Sequence, residues 1–292
     1  MKHLKGRTVA ITGAASGIGK SLAHLLAAKG CHLALADLQL DQLIELKADL
    51  DSMGHRVSIH QVDVSDSDQV KIFADEAVEV HTTVHVLINN AGVTYMGNFL
   101  AHDLTVWDHI VGVNLMGVVY GCHAFIPHML TLDQAHIVNI SSIFGIIGVP
   151  GQSAYCSSKF AVRGLSEALS AELSESHIGV TVVHPGGVST NIVNHSESAN
   201  PEFKDYMSRV FTKSMMHPDR AAHLIIKGIE RNRHRVLITS EARWGDRLKR
   251  LLPTHGGRMF VNSLSKLLKL DRYKSDHTLK AAVQPSNTHE SD

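Results

Sequence analysis

Seven apolar, β-rich runs recur along the chain, separated from one another by segments of helical period, and this alternation leaves few folds open. The runs fall at 8–12 (TVAIT), 32–37 (HLALAD), 57–64 (VSIHQVDV), 84–90 (VHVLINN), 136–141 (HIVNIS), 179–185 (GVTVVHP) and 235–240 (RVLITS). Helices are predicted between them over 16–29, 40–53, 66–80, 103–131, 153–176 and 218–232. The runs are nearly continuous in apolarity, which is how strands read when both faces of a parallel sheet are covered. Repeated βα units predict an α/β fold, a doubly wound parallel sheet of about seven strands. Right-handed crossovers restrict its topology to very few arrangements. At 292 residues the chain can build such a domain over 1–240 and still carry an extension.

The first βα turn reads TGAASGIG, Thr12 to Gly19. Gly13, Gly17 and Gly19 let the backbone turn tightly and approach a ligand. The helix that follows offers free amides and the positive end of its dipole to a pyrophosphate. The spacing is G-x-x-x-G-x-G, not the G-x-G-x-x-G of the general dinucleotide fingerprint. Asp37 closes the second strand, where a carboxylate can hydrogen-bond the ribose hydroxyls of NAD and would repel a 2′-phosphate. No Arg or Lys stands at Ser16, Leu38 or Gln39 to offset that charge, so NAD is expected over NADP.

Tyr155 and Lys159 are four residues apart at the start of a helical pattern carried by Phe160, Leu165, Ala168, Leu169 and Leu173. They therefore share one helix face. An ordinary phenol, with a pKa of about 10, is too rarely ionised near neutral pH to serve as a base. A cation within roughly 4–6 Å favours the phenolate. A shift of about three units corresponds to roughly 4 kcal/mol, a demand suited to a lysine plus a second cation. Ser142 lies thirteen residues before the tyrosine, where the apolar run HIVNI ends, and can present a hydroxyl to the same point. Tyr-x-x-x-Lys alone describes many solvated helix faces; the surrounding motifs give it weight.

Charge and cysteine usage exclude other classes. Lys and Arg together number 28, as do Asp and Glu, so no global field draws nucleic acid. Cys31, Cys122 and Cys156 are odd in number and widely spaced, which fits a reducing compartment and no disulfide framework. The N-terminal MKHLKGRTVAITG has no signal-peptide core, and no run of about 18 apolar residues suggests a membrane span. These features point to a cytoplasmic location. The 21 histidines form no metal-ligand spacing; His81 and His85 merely flank a turn, and no metal is expected.

TGAASGIG (12–19), Asp63 in VDV, NNAG (89–92), Asn114 in VGVNLMG, Ser142 in NISS, YCSSK (155–159) and PGGVST (185–190) stand in the order and spacing of one family. Over about residues 5–240 the chain resembles the single-domain short-chain dehydrogenases/reductases. The resemblance implies a Rossmann-type sheet with the dinucleotide over the carboxyl ends of the strands. It implies that Tyr155 is the general acid/base, that Lys159 lowers its pKa and holds the nicotinamide ribose, and that Ser142 holds the substrate oxygen. Asn114 would fix a water linking Lys159 to solvent. Gly13, Ser16 and Ile18, with Gly17 and Gly19, would line the pyrophosphate. Asp63 and Val64 would meet the adenine, and Asn90, Ala91 and Gly92 the adenosine side of the cleft. Pro185, Gly186, Val188 and Thr190 would anchor the carboxamide. Asn89, Ser141 and Cys156 are expected to be structural. A homodimer or homotetramer through the helices at about 103–131 and 153–176 is also implied.

A substrate lid is expected over about 188–217, with Phe203, Tyr206, Met207 and Phe211 supplying apolar bulk. Phe144 and Val149 beside Ser142, and Tyr95 after the NNAG turn, add more. The expected substrate is a hydrophobic secondary alcohol or ketone. A 3-oxoacyl thioester reductase using NADPH is the catalytic alternative, and a non-catalytic dinucleotide-sensing protein the other. Residues 241–274 read as a basic amphipathic helical extension, with nine Lys/Arg against two Asp from Arg243 to Lys274. Such a segment either packs on the protein itself or a partner subunit, the preferred reading, or lies peripherally on an anionic membrane. Residues 275–292 are polar and expected to be disordered.

Overall fold

The structure, a computed structural model, describes residues 1, 3–52, 55–190, 192, 197–198, 202, 205–206, 209 and 215–267. Seven strands form one sheet: β1 (Thr8–Thr12), β2 (His32–Asp37), β3 (Val57–Gln61), β4 (Val86–Asn89), β5 (Ala135–Ile140), β6 (Ile178–His184) and β7 (Arg235–Leu237). Their order is β3-β2-β1-β4-β5-β6-β7 and every pairing is parallel. The order reverses between β1 and β4, so a crevice opens at the carboxyl ends of those strands.

Strand residues alternate between two apolar layers, as the pleat requires. Val9 and Ile11 point to the layer of α1 (Gly17–Ala28), α2 (Leu40–Ser52) and, further along the sheet, α7 (Pro218–Glu230). Ala10 points to the opposite layer, where α3 (Ser67–His81), α5 (Gly117–Met129) and α6 (Ser153–Glu172) contribute Phe73, Phe125 and Val162. Local chemistry sets the element ends. Asp66 caps α3 by accepting from the amides of Asp68 (2.9 Å) and Gln69 (3.2 Å). Pro218 opens α7, where its missing N–H costs nothing.

Several boundaries differ from the sequence reading, three of them for local reasons. β3 stops at Gln61 rather than 64, because Asp63 turns the chain: its Oδ1 accepts from the amide (2.9 Å) and hydroxyl (2.7 Å) of Ser65. The last strand ends at Leu237, since Thr239 caps the helix that follows. The helix expected over 103–131 is α4 (Leu104–Val111) and α5, joined by a π-helical turn at Gly112–Met116. Taken together, Leu104–Met129 is long and apolar enough to cross a membrane, which the sequence reading did not register. Val118, Cys122, Phe125 and Met129 on this stretch nonetheless pack into the domain core. A two-residue pairing of Tyr95–Met96 with Glu197–Ser198 was not foreseen.

The extension forms α8 (Ser240–Leu251) and α9 (Gly256–Leu267). Ala242 and Phe260 join Ile143, Ile146 and Ile147 in a third apolar cluster, with Leu248, Val261 and Leu264 against it. Trp244, Leu251 and Leu252 stay exposed, so the predicted stripe is only partly used. Residues 268–274 and the tail 275–292 lie outside the described residues.

The buried carboxylate of Asp246 ties α8 to β7, accepting from Arg235 at 2.7 and 3.1 Å and from Arg250 at 3.1 Å. Burial alone would raise its pKa, but the hydrogen bonds and charges of the two arginines outweigh burial and hold it below the usual carboxylate range. An Asp246→Ala variant should lose about 3 kcal/mol near neutral pH, because Arg235 is left unpaired. The depressed pKa means this contribution is fully present above the ordinary carboxylate pKa. The gap between variant and wild type should therefore shrink as pH falls through the depressed value, which urea unfolding at a series of pH values would measure.

Candidate active site

At the crevice, Gly13 (φ +63°) and Gly17 (φ +52°) turn the chain from β1 into α1. A Cβ at Gly13 would sit 2.8 Å from the Ala91 backbone, so the turn and the NNAG segment touch without room for side chains. Asn90 locks the two together: its Nδ2 donates to the carbonyls of Thr12 (3.0 Å) and Gly13 (2.9 Å). In return Thr12 Oγ1 accepts from the amides of Asn90 (3.1 Å) and Ala91 (3.2 Å). Thr190 closes the other side, its methyl 3.1 Å from where a Gly17 Cβ would be. The α1 N-terminus carries neither a capping side chain, although Ser16 stands at that position, nor an acidic residue in its first turn. That donor set suits a pyrophosphate. Asp37 is held at the end of β2 by the amides of Ala15 (2.9 Å) and Gln39 (3.1 Å) and is only half-buried. The residues therefore fit a dinucleotide.

Other predicted cofactor residues are placed less directly. Val64 packs against Gly117 in the core. One oxygen of Asp63 is committed to the Ser65 turn. Ile18 leans on the core layer of α1. Val188 is buried and bridges to Met216, while Pro185 accepts at 2.7 Å from the amide of Ile143, tying its loop to the serine turn.

Ser142 follows β5 and caps a single 3-10 turn at Ile143–Gly145, its Oγ accepting from the Phe144 amide at 3.1 Å. Tyr155 and Lys159 rise from the first turns of α6, with the Lys159 Nζ 5.7 Å from the centre of the Tyr155 ring. Lys159 is buried and donates to the Ile140 carbonyl at 3.0 Å. A hydrogen bond with Ser142 reaches the Tyr155 phenol. Ser141 instead accepts no such duty: its hydroxyl donates to the Lys159 carbonyl at 2.8 Å and fixes α6. Cys156 accepts from the Val149 amide at 3.5 Å, and Phe144 meets the Tyr155 ring edge-on with centres 6.3 Å apart.

Asn114 occupies the π-helical turn, where the irregular backbone sends its side chain inward. Its Oδ1 accepts from the Val93 amide (2.8 Å), and its Nδ2 donates to the Val93 carbonyl (2.9 Å) and the Ser158 hydroxyl (3.2 Å). Gly92 marks where the groups converge. A Cβ there would lie 3.1 Å from Asn114 Oδ1 and 3.3 Å from Lys159 Nζ.

The electrostatics run opposite to the simple expectation. Burial pushes the Tyr155 phenol up to about 12, the Ser142 hydrogen bond only partly opposing it, and burial pushes Lys159 down to about 8. Desolvation is thus the largest influence on each of the two groups in the protein alone. Of the expected substrate residues, Phe144 meets Tyr155 and Val149 bonds through its amide to the neighbouring Cys156, whereas the Tyr95 ring packs on His102 with centres 4.9 Å apart. Tyr206 is half-buried; Phe203 and most of 188–217 lie outside the described residues.

Sequence reasoning missed His184. It ends β6, fully buried, and donates from Nδ1 to the Ser142 carbonyl at 3.0 Å, while its Nε2 has no partner. A histidine before Pro-Gly carried no readable signal.

Residues 7–201 match the model of the short chain dehydrogenase family. The chain is 37% identical to the SadH protein of Mycobacterium tuberculosis over 270 residues, covering 91% of this chain and 98% of that one. It is 32% identical over 224 residues to the 3-oxoacyl-[acyl-carrier-protein] reductase FabG of Thermotoga maritima, covering 77% and 90%. Among solved structures, a short chain dehydrogenase/reductase from Burkholderia phymatum in complex with NAD superposes with a TM-score of 0.81. That pair is 30% identical, with 86% of this chain and 95% of the other covered.

Burial of histidine gives this framework an acid limit. Burial holds His184 and His81 down to about 4 and His136 to about 3, with Arg56 adding to the effect at His81 and the Ser142 carbonyl opposing it at His184. Their folded pKa values lie below the unfolded one, so the unfolded chain binds the extra protons and stability is lost as pH falls from about 6.5 towards 4. A His184→Asn variant should lose roughly 3 kcal/mol less than wild type over that window, measured by denaturant unfolding at each pH.

Proposed function

The chain belongs to the short-chain dehydrogenase family of NAD(P)-dependent oxidoreductases, and from that premise we propose that it transfers hydride between NAD and a hydrophobic secondary alcohol or ketone. The observation that carries the reading is the convergence of Ser142, Tyr155 and Lys159 beside a helix N-terminus built for a pyrophosphate. A dinucleotide held by the Gly13–Gly19 turn and Asp37 would supply the hydride in reduction and accept it in oxidation, its oxidised ring carrying a positive charge.

Tyr155 is the general acid/base. With a pKa near 12 the phenol holds its proton at neutral pH, so as built it is a donor to the oxygen of a ketone. In the reverse direction the substrate hydroxyl gives its proton to the phenolate oxygen. Ser142, its carbonyl fixed by His184, orients the substrate oxygen and stabilises charge gathering there. Lys159 keeps donors beyond its bond to Ile140 for the ribose side of the site. Asn114 positions the Val93 segment, and in this reading would fix a water linking Lys159 to solvent. Phe144 against the Tyr155 ring gives the approach an apolar wall, which favours hydrophobic substrates.

NAD is preferred on the strength of Asp37, whose fixed carboxylate has no cation at Leu38 or Gln39 to soften it towards a 2′-phosphate. The likeness to a FabG reductase favours a second reading, reduction of a 3-oxoacyl thioester. The exposed faces around Leu104 and Leu130 are where a second copy would pair. Exposed Trp244, Leu251 and Leu252 beside Arg247 keep a peripheral membrane contact as the alternative role of the extension.

Tyr155→Phe should cut turnover by roughly 10²–10⁴ while NADH still binds, the contribution typical of general acid–base transfer. NADH absorbance with a panel of secondary alcohols, and fluorescence titration with NADH, would measure both. Turnover persisting in the variant contradicts the mechanism, and a strong NADPH preference in wild type contradicts the cofactor reading.

A further inference from the structure

The extension does more than shield the sheet edge. Lys249, on α8, reaches back 103 residues to donate to the Ile146 carbonyl at 2.5 Å, immediately after the turn that Ser142 caps. Its ammonium lies 5.0 Å from the centre of the Phe160 ring, the residue following Lys159 on α6. One side chain thus bridges the serine turn and the helix that carries Tyr155. In the first turn of α8, Glu241 accepts through Oε1 from the Gly187 amide at 3.0 Å, inside the PGGVST loop. The two polar ties stand at opposite ends of a single helix. That helix is seated on the serine turn by apolar contact: Ile143, Ile146 and Ile147 share a cluster with Ala242 and Phe260, and the Phe260 ring and Ile147 close together over Gly245.

We infer that α8 and α9 belong to the active site, with Lys249 and Glu241 as positioning residues that set the serine turn and the PGGVST loop at a fixed separation. The inference rests on the catalytic reading given above. Neither residue touches the reacting atoms. Lys249 acts through Ile146 on the placement of the Ser142 hydroxyl against the Tyr155 phenol. Glu241 acts through Gly187 on the loop expected to hold the carboxamide, and so on dinucleotide affinity. A rigid helix carrying both ties couples the two placements. The basic character of α8 has a purpose in this arrangement beyond solvation, since Lys249 is half-buried with its amine against a carbonyl and a ring.

Full-length Lys249→Met, Lys249→Arg, Glu241→Ala and Glu241→Gln variants separate this role from simple stabilisation. Hydrogen exchange read by mass spectrometry, together with NADH fluorescence titration, gives an answer even when no alcohol is turned over. Lys249→Met should speed amide exchange at 143–147 roughly tenfold, with β1 and β4 unchanged, the size expected for loss of one charge-assisted hydrogen bond. Glu241→Ala should weaken NADH binding by about the same factor, and Glu241→Gln, which keeps an acceptor, should restore it. With a secondary alcohol that wild type oxidises, Lys249→Met should lower kcat and leave the dinucleotide KM in place, and Lys249→Arg should recover kcat. Unchanged exchange at 143–147, uniformly faster exchange over the whole chain, or equal effects of both alanine-like variants on kcat and KM would overturn the inference. Wild type failing to oxidise any alcohol would count against the catalytic reading instead, while the exchange and binding results would still decide the placement of the two loops.

Discussion

Withdrawal of a phenol and an amine from water governs this structure more than any single bond. Burial moves Tyr155 and Lys159 in opposite directions, towards about 12 and about 8, so that both are pressed towards their neutral forms. A site in that condition is poised: in a low dielectric, an added positive charge shifts an acidity far more than it would in water. The chain supplies the cleft, the hydroxyl of Ser142 and the buried lysine. Lys159, 5.7 Å from the ring centre, is the one nearby cation the site is seen to provide among the described residues, and burial has weakened its hold on its proton. Under the proposed function an oxidised dinucleotide would add a further positive charge, and proton uptake by Tyr155 would then depend on the cofactor.

The fold makes that condition possible by bringing distant segments to one crevice. The strand order reverses between β1 and β4, and the segments after β1, β4, β5 and β6 all end there. Each is then tied to its neighbour by side chain to backbone bonds: Asn90 to the glycine turn, Asn114 to Val93, and His184 to Ser142. These ties are buried or partly buried, where an unpaired polar group is costly, so they hold one geometry. The extension adds a fourth set through Lys249 and Glu241.

Much of this was legible in the residues. The period of the apolar runs gave the doubly wound sheet, since continuous runs report burial on both faces. The glycines of 12–19, Asp37 and the Tyr155/Lys159 spacing marked the crevice because each needs a particular backbone or face. Other features were hidden for physical reasons. The π-helical turn at Asn114 changes no periodicity over a 26-residue helical stretch. The direction of the Tyr155 shift depends on desolvation, which a sequence does not display; a nearby lysine suggested the opposite sign. His184, Lys249 and Glu241 act through long-range contacts that leave no local pattern. Phe203 and the tail beyond 274 are outside the described residues.

The most direct measurement is the ionisation of Tyr155 itself, from the ultraviolet difference between wild type and Tyr155→Phe, titrated without and with saturating NAD+. The account predicts a phenol that stays protonated to about pH 12 in the protein alone and ionises at distinctly lower pH once NAD+ is bound. A phenol that titrates near 7 without the dinucleotide, or one whose titration NAD+ leaves unmoved, would contradict it.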